Sequence, residues 1–125
     1  MRPNGLPRQL RICSRPDFLA CYERGSRYHT KHFLIFVLAA DRQDLSTRSG
    51  TAVSRKVGNA VVRNRIKRLL REFYRLHRGE LPVNADVVTV VKKQAKTSEL
   101  GYGEVTAELL PLFERMSRRG SGRQI

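Results

Sequence analysis

Residues 53–75 read VSRKVGNAVVRNRIKRLLREFYR, with eight Lys or Arg side chains against a single carboxylate, Glu72. Asn59 suits a helix N-cap, so a helix follows it. With Val62 set at zero and about 100° per residue, Ile66, Leu69, Leu70, Phe73 and Leu76 fall within about 80° of it. That stripe must face a core. Lys67, Arg68, Arg71, Arg75 and Arg78, with Asn64 among them, fall between about 140° and 240°. Arg63 and Arg65, near 100° and 300°, stand at the two borders between stripe and charge. Ordinary solvated helix faces interleave acids at i,i+4. Here Lys67, Arg71 and Arg75 stack like charges, which destabilises the free helix and calls for an anionic partner. The preponderance of Arg favours bidentate contact with phosphate.

Working upstream, Ser14 with Asp17 resembles a capping box, Pro16 suits a first turn and Gly25 can end a helix over 15–24. HFLIFVLAA (32–40) is a continuous apolar strand and GTAVSR (50–55) a second. The polar connection 41–49 leaves them close enough to pair as an antiparallel hairpin. Downstream, RGELPVNA (78–85) breaks the central helix and DVVTVV (86–91) is a β-branched strand. A basic connection over 92–103 leads to Val105, Leu109, Leu112, Phe113 and Met116 at helical spacing. Pro111, within that segment, is expected to kink the helix or free the carbonyl of Ala107. The order α-β-β-α-β-α is an α+β sandwich with one central sheet. The chain reads as one domain over 1–117, followed by a disordered basic tail over 118–125.

The whole chain of 125 residues carries 25 Lys and Arg against 11 Asp and Glu, a net charge of +14 and a pI near 11.0. Such an imbalance is relieved by a polyanion, nucleic acid first and an anionic membrane second. The longest apolar run, Phe33 to Ala40, is far short of the roughly 20 residues of a spanning helix. The N-terminus lacks a signal-peptide pattern. A soluble, cytoplasmic protein that does not work on a membrane is the expectation. Cys13 and Cys21 have no partners at zinc spacing and read as two reduced, part-buried thiols.

Catalytic inventory is thin. His29, His32 and His77 could supply a general acid and base, but His77 lies near the apolar side of its helix and the others flank a strand. Asp17, Asp41, Asp44 and Asp86 are too dispersed for a two-metal site, and GNAVVRN is not a phosphate loop of the Walker type. Binding is the better reading. Bases of single strands stack on aromatic rings, and Phe18 and Tyr22 share a helix face at i,i+4. A core role for both stands beside a base-stacking role. Phe33 and Phe36 alternate to opposite sides of the first strand.

SRKVGNAVVRNRIKRLLRE, with its Arg63-Asn64-Arg65 triplet, resembles the signature helix of the bacterial ribonuclease P protein family. PDFLACYERG, FLIFVL and VVKKQA resemble that family's first helix, first strand and third-strand end, so the likeness covers residues 11 to 117. The resemblance implies a ribosomal-protein-S5-domain-2-like fold with a left-handed βαβ crossover, against the general right-handed preference. It implies a protein partner of a catalytic RNA that removes the 5′ leader of precursor tRNA by magnesium-dependent hydrolysis. The Mg2+ would be held by RNA and substrate and no cofactor by the protein. By position, Arg63, Asn64, Arg65, Lys67, Arg68 and Arg71 would contact the RNA subunit. A central cleft for the single-stranded leader would be lined by Phe18, Tyr22, Phe36, Lys56 and Lys92. Two rivals follow from the residues alone: a structural RNA binder, and a self-sufficient nuclease using His29 or His32.

Overall fold

The computed structural model describes residues 7–93, 95 and 97–123, with side chains followed to Met116. Its elements are α1 (Arg15–Arg24), β1 (Ser26–His29), β2 (Phe33–Ala39), β3 (Arg48–Ala52), α2 (Ala60–Leu76), β4 (Ala85–Val91) and α3 (Tyr102–Arg123), with three short 3-10 turns between or before them. α1 begins where Ser14 Oγ accepts from Asp17 N at 3.3 Å. It ends where Gly25 N donates to Cys21 O, a carbonyl so close that a Cβ at Gly25 would lie 2.5 Å from it. α2 begins where Asn59 Oδ1 accepts from Val62 N at 3.0 Å. The α+β class with one central sheet stands as read from the sequence.

The sheet has the order β1-β2-β4-β3. β1 and β4 flank β2 antiparallel, while β3 runs parallel to β4. The expected hairpin between the second and third strands is therefore corrected: β3 pairs with β4 and not with β2. Strand β4 carries valines that are buried toward both faces, which suits a central position. The polar Arg48–Ala52 strand suits an edge. The eight-residue connection makes this possible. Arg42 donates to Ser46 O and Ala85 O and pairs with Asp86 at 3.0 Å, carrying the chain past the start of β4. β1, a four-residue polar edge strand, was not expected at all, because SRYH has no apolar alternation to announce it.

Both faces of the sheet are covered, unequally. On one, Phe33, Ile35, Val87 and Val91 pack with Ile66, Leu70, Phe73 and Tyr74 of α2 and Val105, Leu109, Leu112 and Phe113 of α3. On the other, Phe36 and Val88 meet only α1 and the segment before it, through Cys21, Ile12 and Phe18, and Leu34, Leu38 and Val90 stay half-buried. Phe33 and Phe36 do take opposite sides. Polar ties close the edges: Glu108 of α3 accepts from His32 N and faces His32 Nδ1, each at 2.7 Å, and accepts from Thr30 Oγ1. Arg48 makes a fork to Asp86 at 3.0 and 2.7 Å and reaches Asp17 of α1 at 3.3 Å.

α3 runs on through Pro111. Ala107 and Pro111 both lie on its exposed side, so water can take the carbonyl that proline leaves without a donor. Beyond Met116, where a basic tail is expected, the side chains lie outside the described residues, as do residues 124–125 altogether. Cys21 is fully buried, which pushes its thiol up to about 11, whereas Cys13 is exposed rather than part-buried. Among the described residues, no helix is long and apolar enough to cross a membrane.

Candidate nucleic-acid interface

The buried side of α2 is Ile66, Leu70, Phe73 and Tyr74. Its centre lies about 65° from Val62 toward Lys67. Tyr74 belongs to it, with its hydroxyl against Thr89 Oγ1 and burial pushing the phenol well above its ordinary pKa. Leu76, expected in the stripe, lies about 105° from that centre and is exposed. The rotation brings Lys67 to a half-buried position beside β3 and leaves Asn64, Arg65, Arg68 and Arg71 exposed.

The charges on this helix are not equivalent. Arg75 closes a fork on Glu72, with contacts of 3.1 and 2.5 Å, so the one carboxylate of the stretch is spent on it. That pairing holds the Glu72 carboxyl below its usual range and corrects the expectation of an unrelieved Lys67-Arg71-Arg75 stack. Among the described residues, Arg63, Arg65, Lys67, Arg68 and Arg71 have no carboxylate at ion-pair distance. Arg63 Nε donates to Gly58 O at 3.2 Å, and Arg65 donates to Thr97 O at 3.3 Å and to Leu100 O. The two border arginines thus fasten the connections before α2 and after β4, while Arg68 and its neighbours face outward.

On the opposite face of the sheet, three expected cleft residues come together. Phe18 and Tyr22 have ring centroids 6.4 Å apart, and Tyr22 meets Phe36 edge-on at 5.0 Å. Phe36 is buried against Tyr22, Phe18 is half-buried and Tyr22 is 37% exposed. Gly50 makes the approach possible, because a Cβ there would sit 3.0 Å from Phe18 Cζ. A concavity of about 420 Å³ opens along this line, walled by Arg15, Phe18, Leu19 and Tyr22 of α1 and by Cys13, Thr51 and Ala52.

Neither Phe36 nor the two expected cleft lysines line that concavity. Lys56 is exposed in the turn ahead of α2. Lys92 is half-buried and donates from Nζ to Thr30 O at 2.7 Å, bracing the β1–β2 turn. An ammonium retains two further donors there. Two exposed residues not expected in the cleft share its face instead. Arg27 pairs with Phe36 and His29 with Leu34 in the antiparallel register, and directly opposed residues project from one side. Only recognition of β1 could have found them.

His32, a candidate for catalysis, is 7% exposed and committed to Glu108. Burial raises the Glu108 carboxyl, but the hydrogen bonds from His32 and Thr30 together outweigh it and hold its pKa below the ordinary value. His77 Nε2 lies 3.2 Å from Tyr102 Oη and its ring stacks on Phe73. Both histidines hold elements together.

The sequence profile of the Ribonuclease P family matches residues 6–117. The ribonuclease P protein component of Desulfovibrio desulfuricans is 66% identical over 98% of this chain and 94% of its own length, and that of Oleidesulfovibrio alaskensis is 44% identical over 89% of each. Among solved structures, the ribonuclease P protein from Thermotoga maritima superposes with a TM-score of 0.76 at 29% identity, covering 84% of this chain and 96% of that one. The Staphylococcus aureus protein gives 0.69 at 26%, over 80% and 88%. The chain therefore belongs to the ribonuclease P protein family.

Proposed function

We propose that this chain is the protein subunit of a ribonuclease P ribonucleoprotein, binding the catalytic RNA subunit through the outward face of α2 and the single-stranded 5′ leader of precursor tRNA in the aromatic concavity under α1. The observation that carries the reading is the outward face of α2, where Asn64 and Arg68 stand exposed and Arg68, among the described residues, has no carboxylate in reach. Phosphates supply the missing charge, and each one neutralised releases a counterion to solvent. The rings of Phe18 and Tyr22 offer sequence-tolerant stacking to bases, and Arg15, Arg27 and His29 stand by to meet the backbone between them.

The chemistry belongs to the RNA. Among the described residues no three His, Cys, Asp or Glu side chains come together in a way that could hold a metal ion. The reading leaves magnesium to RNA phosphates, whose oxygens are the hard ligands that the ion prefers. The chain contributes neutralisation and positioning, which shift the reaction toward lower magnesium.

The test is release of the 5′ leader from precursor tRNA by a bacterial ribonuclease P RNA at low magnesium, with and without the protein. Acceleration by the protein is the expected result. A folded protein that binds the RNA without accelerating cleavage would point to a structural RNA binder. Cleavage by the protein alone, lost on changing His29, would point to a nuclease.

A further inference from the structure

A second cavity, of about 210 Å³, lies between the segment ahead of α1, β3 and the Lys67 side of α2. Arg11, Lys67 and Arg71 line it, and among its described lining residues there is no carboxylate. Three cations lining one partly open cavity repel one another, a cost that an entering anion relieves. The Arg11 Nε is buried and has no hydrogen-bond partner among the described residues, a deficit that a bound acceptor would remove.

The outer edge of β3 lines the cavity as well. Ile12 N donates to Ser49 O at 2.9 Å, which shows that Ser49 turns its polar groups to the outer edge of β3. The two-residue period of a strand turns Thr51 N–H to the same edge, and Thr51 lines the cavity. Cys13 and Thr51 line the aromatic concavity as well. The two hollows therefore adjoin across that pair.

The geometry points to a phosphate seat: the cavity takes one backbone phosphate of the same strand whose bases stack on Phe18 and Tyr22, with Arg11, Lys67 and Arg71 as its cations. This rests on the reading that the concavity holds the leader, and it assigns Lys67 and Arg71 to the substrate strand while Asn64 and Arg68 face the RNA subunit. Stacking alone is tolerant of sequence and of sliding. A phosphate held by three cations at one place fixes orientation and register, so the seat sets which leader nucleotides meet the rings.

The experiment is a coupling cycle on the assembled holoenzyme. Precursor tRNAs carrying one neutral methylphosphonate at successive leader positions are titrated against holoenzyme with wild-type protein, Arg11→Gln or Arg11→Lys. With wild-type protein, one position is expected to weaken binding about tenfold while its neighbours do not. Arg11→Gln is expected to weaken the all-phosphate precursor by a similar factor and to abolish the extra loss at that position, and Arg11→Lys to restore part of it. Losses that add independently at every position, or that are equal for mature tRNA, would overturn the seat. Wild-type holoenzyme that binds precursor no better than mature tRNA would instead overturn the leader reading on which the seat rests. Should Arg11→Gln fail to fold, Arg71→Gln, at an exposed helical position, carries the same cycle.

Discussion

The most informative perturbation compares two arginines that the sequence places on one helical face. Arg68 is exposed and, among the described residues, without a carboxylate partner, whereas Arg75 is closed on Glu72 by the fork of 3.1 and 2.5 Å. Each phosphate neutralised contributes about 0.7 to 0.9 to the slope of log K against log salt. Arg68→Gln should therefore shallow the slope for binding the RNA subunit by about 0.7 to 0.9 and cost about 1 kcal/mol at physiological salt. The double variant Glu72→Gln/Arg75→Gln removes a neutral pair and leaves the net charge unchanged. Its slope should stay within about 0.2 of wild type if Arg75 touches no phosphate. Both substitutions lie on an exposed helix side, so stability should move by only about 0.5 kcal/mol. The assay is filter binding or fluorescence anisotropy with labelled RNA subunit over a series of monovalent salt concentrations. Equal slope losses for the two variants would refute the reasoning, since they would mean that Arg75 leaves Glu72 for the RNA.

Asp86→Asn leaves Arg42 and Arg48 facing a neutral group and should cost about 2–3 kcal/mol in urea unfolding, within the range for charged hydrogen bonds lost at a largely buried site. Burial raises the Asp86 and Glu108 carboxyls, but their partners outweigh it and hold both below the ordinary value. The stability they contribute is thus complete above the ordinary carboxylate range and lost as pH falls below about 4. A urea midpoint that did not fall there, or that fell as steeply in Asp86→Asn as in wild type, would contradict that assignment. Leu109→Ala, at a fully buried position between α3 and the sheet, should cost about 2–5 kcal/mol, and a near-zero loss would misplace α3. Gly50→Ala sets a methyl group 3.0 Å from Phe18 and should cost about 1–3 kcal/mol while displacing that ring, readable as weaker precursor binding with mature tRNA unaffected.

Local signals in the sequence were strong where the chain obeys local rules. The caps at Ser14 and Asn59, the apolar run at Phe33 and the valines of β4 each announce their own element, because capping and period depend on near neighbours. Pairing does not. Whether the strand after Ala40 returns beside β2 or passes to the far side of β4 depends on Arg42 reaching Ala85 and Asp86, residues more than forty positions away. The edge strand β1 is held by backbone bonds to β2 rather than by an apolar pattern, so Arg27 and His29 were invisible as cleft residues. Angular reasoning separated apolar from basic faces on α2, yet the stripe's centre was set by Tyr74, whose hydroxyl finds Thr89 on a distant strand. The same limit holds for the site. Phe18, Tyr22 and Phe36 meet as expected, because i,i+4 spacing and strand alternation are local. Lys56 and Lys92 do not line the concavity, since their places are set by loops fastened to Gly58, Thr30, Thr97 and Leu100.

The claim that this chain separates two RNA surfaces, α2 for the RNA subunit and the α1 cleft for the leader, is tested most directly by paired titrations of precursor and mature tRNA against holoenzyme containing Phe18→Ala or Tyr22→Ala. The account predicts that precursor affinity falls by about 1–3 kcal/mol, the worth of one stacked base. Mature tRNA, which has no leader, and assembly with the RNA subunit should both be unchanged, with circular dichroism confirming the fold. Equal losses for precursor and mature tRNA would contradict it, placing these rings in the core or against the RNA subunit instead of the leader.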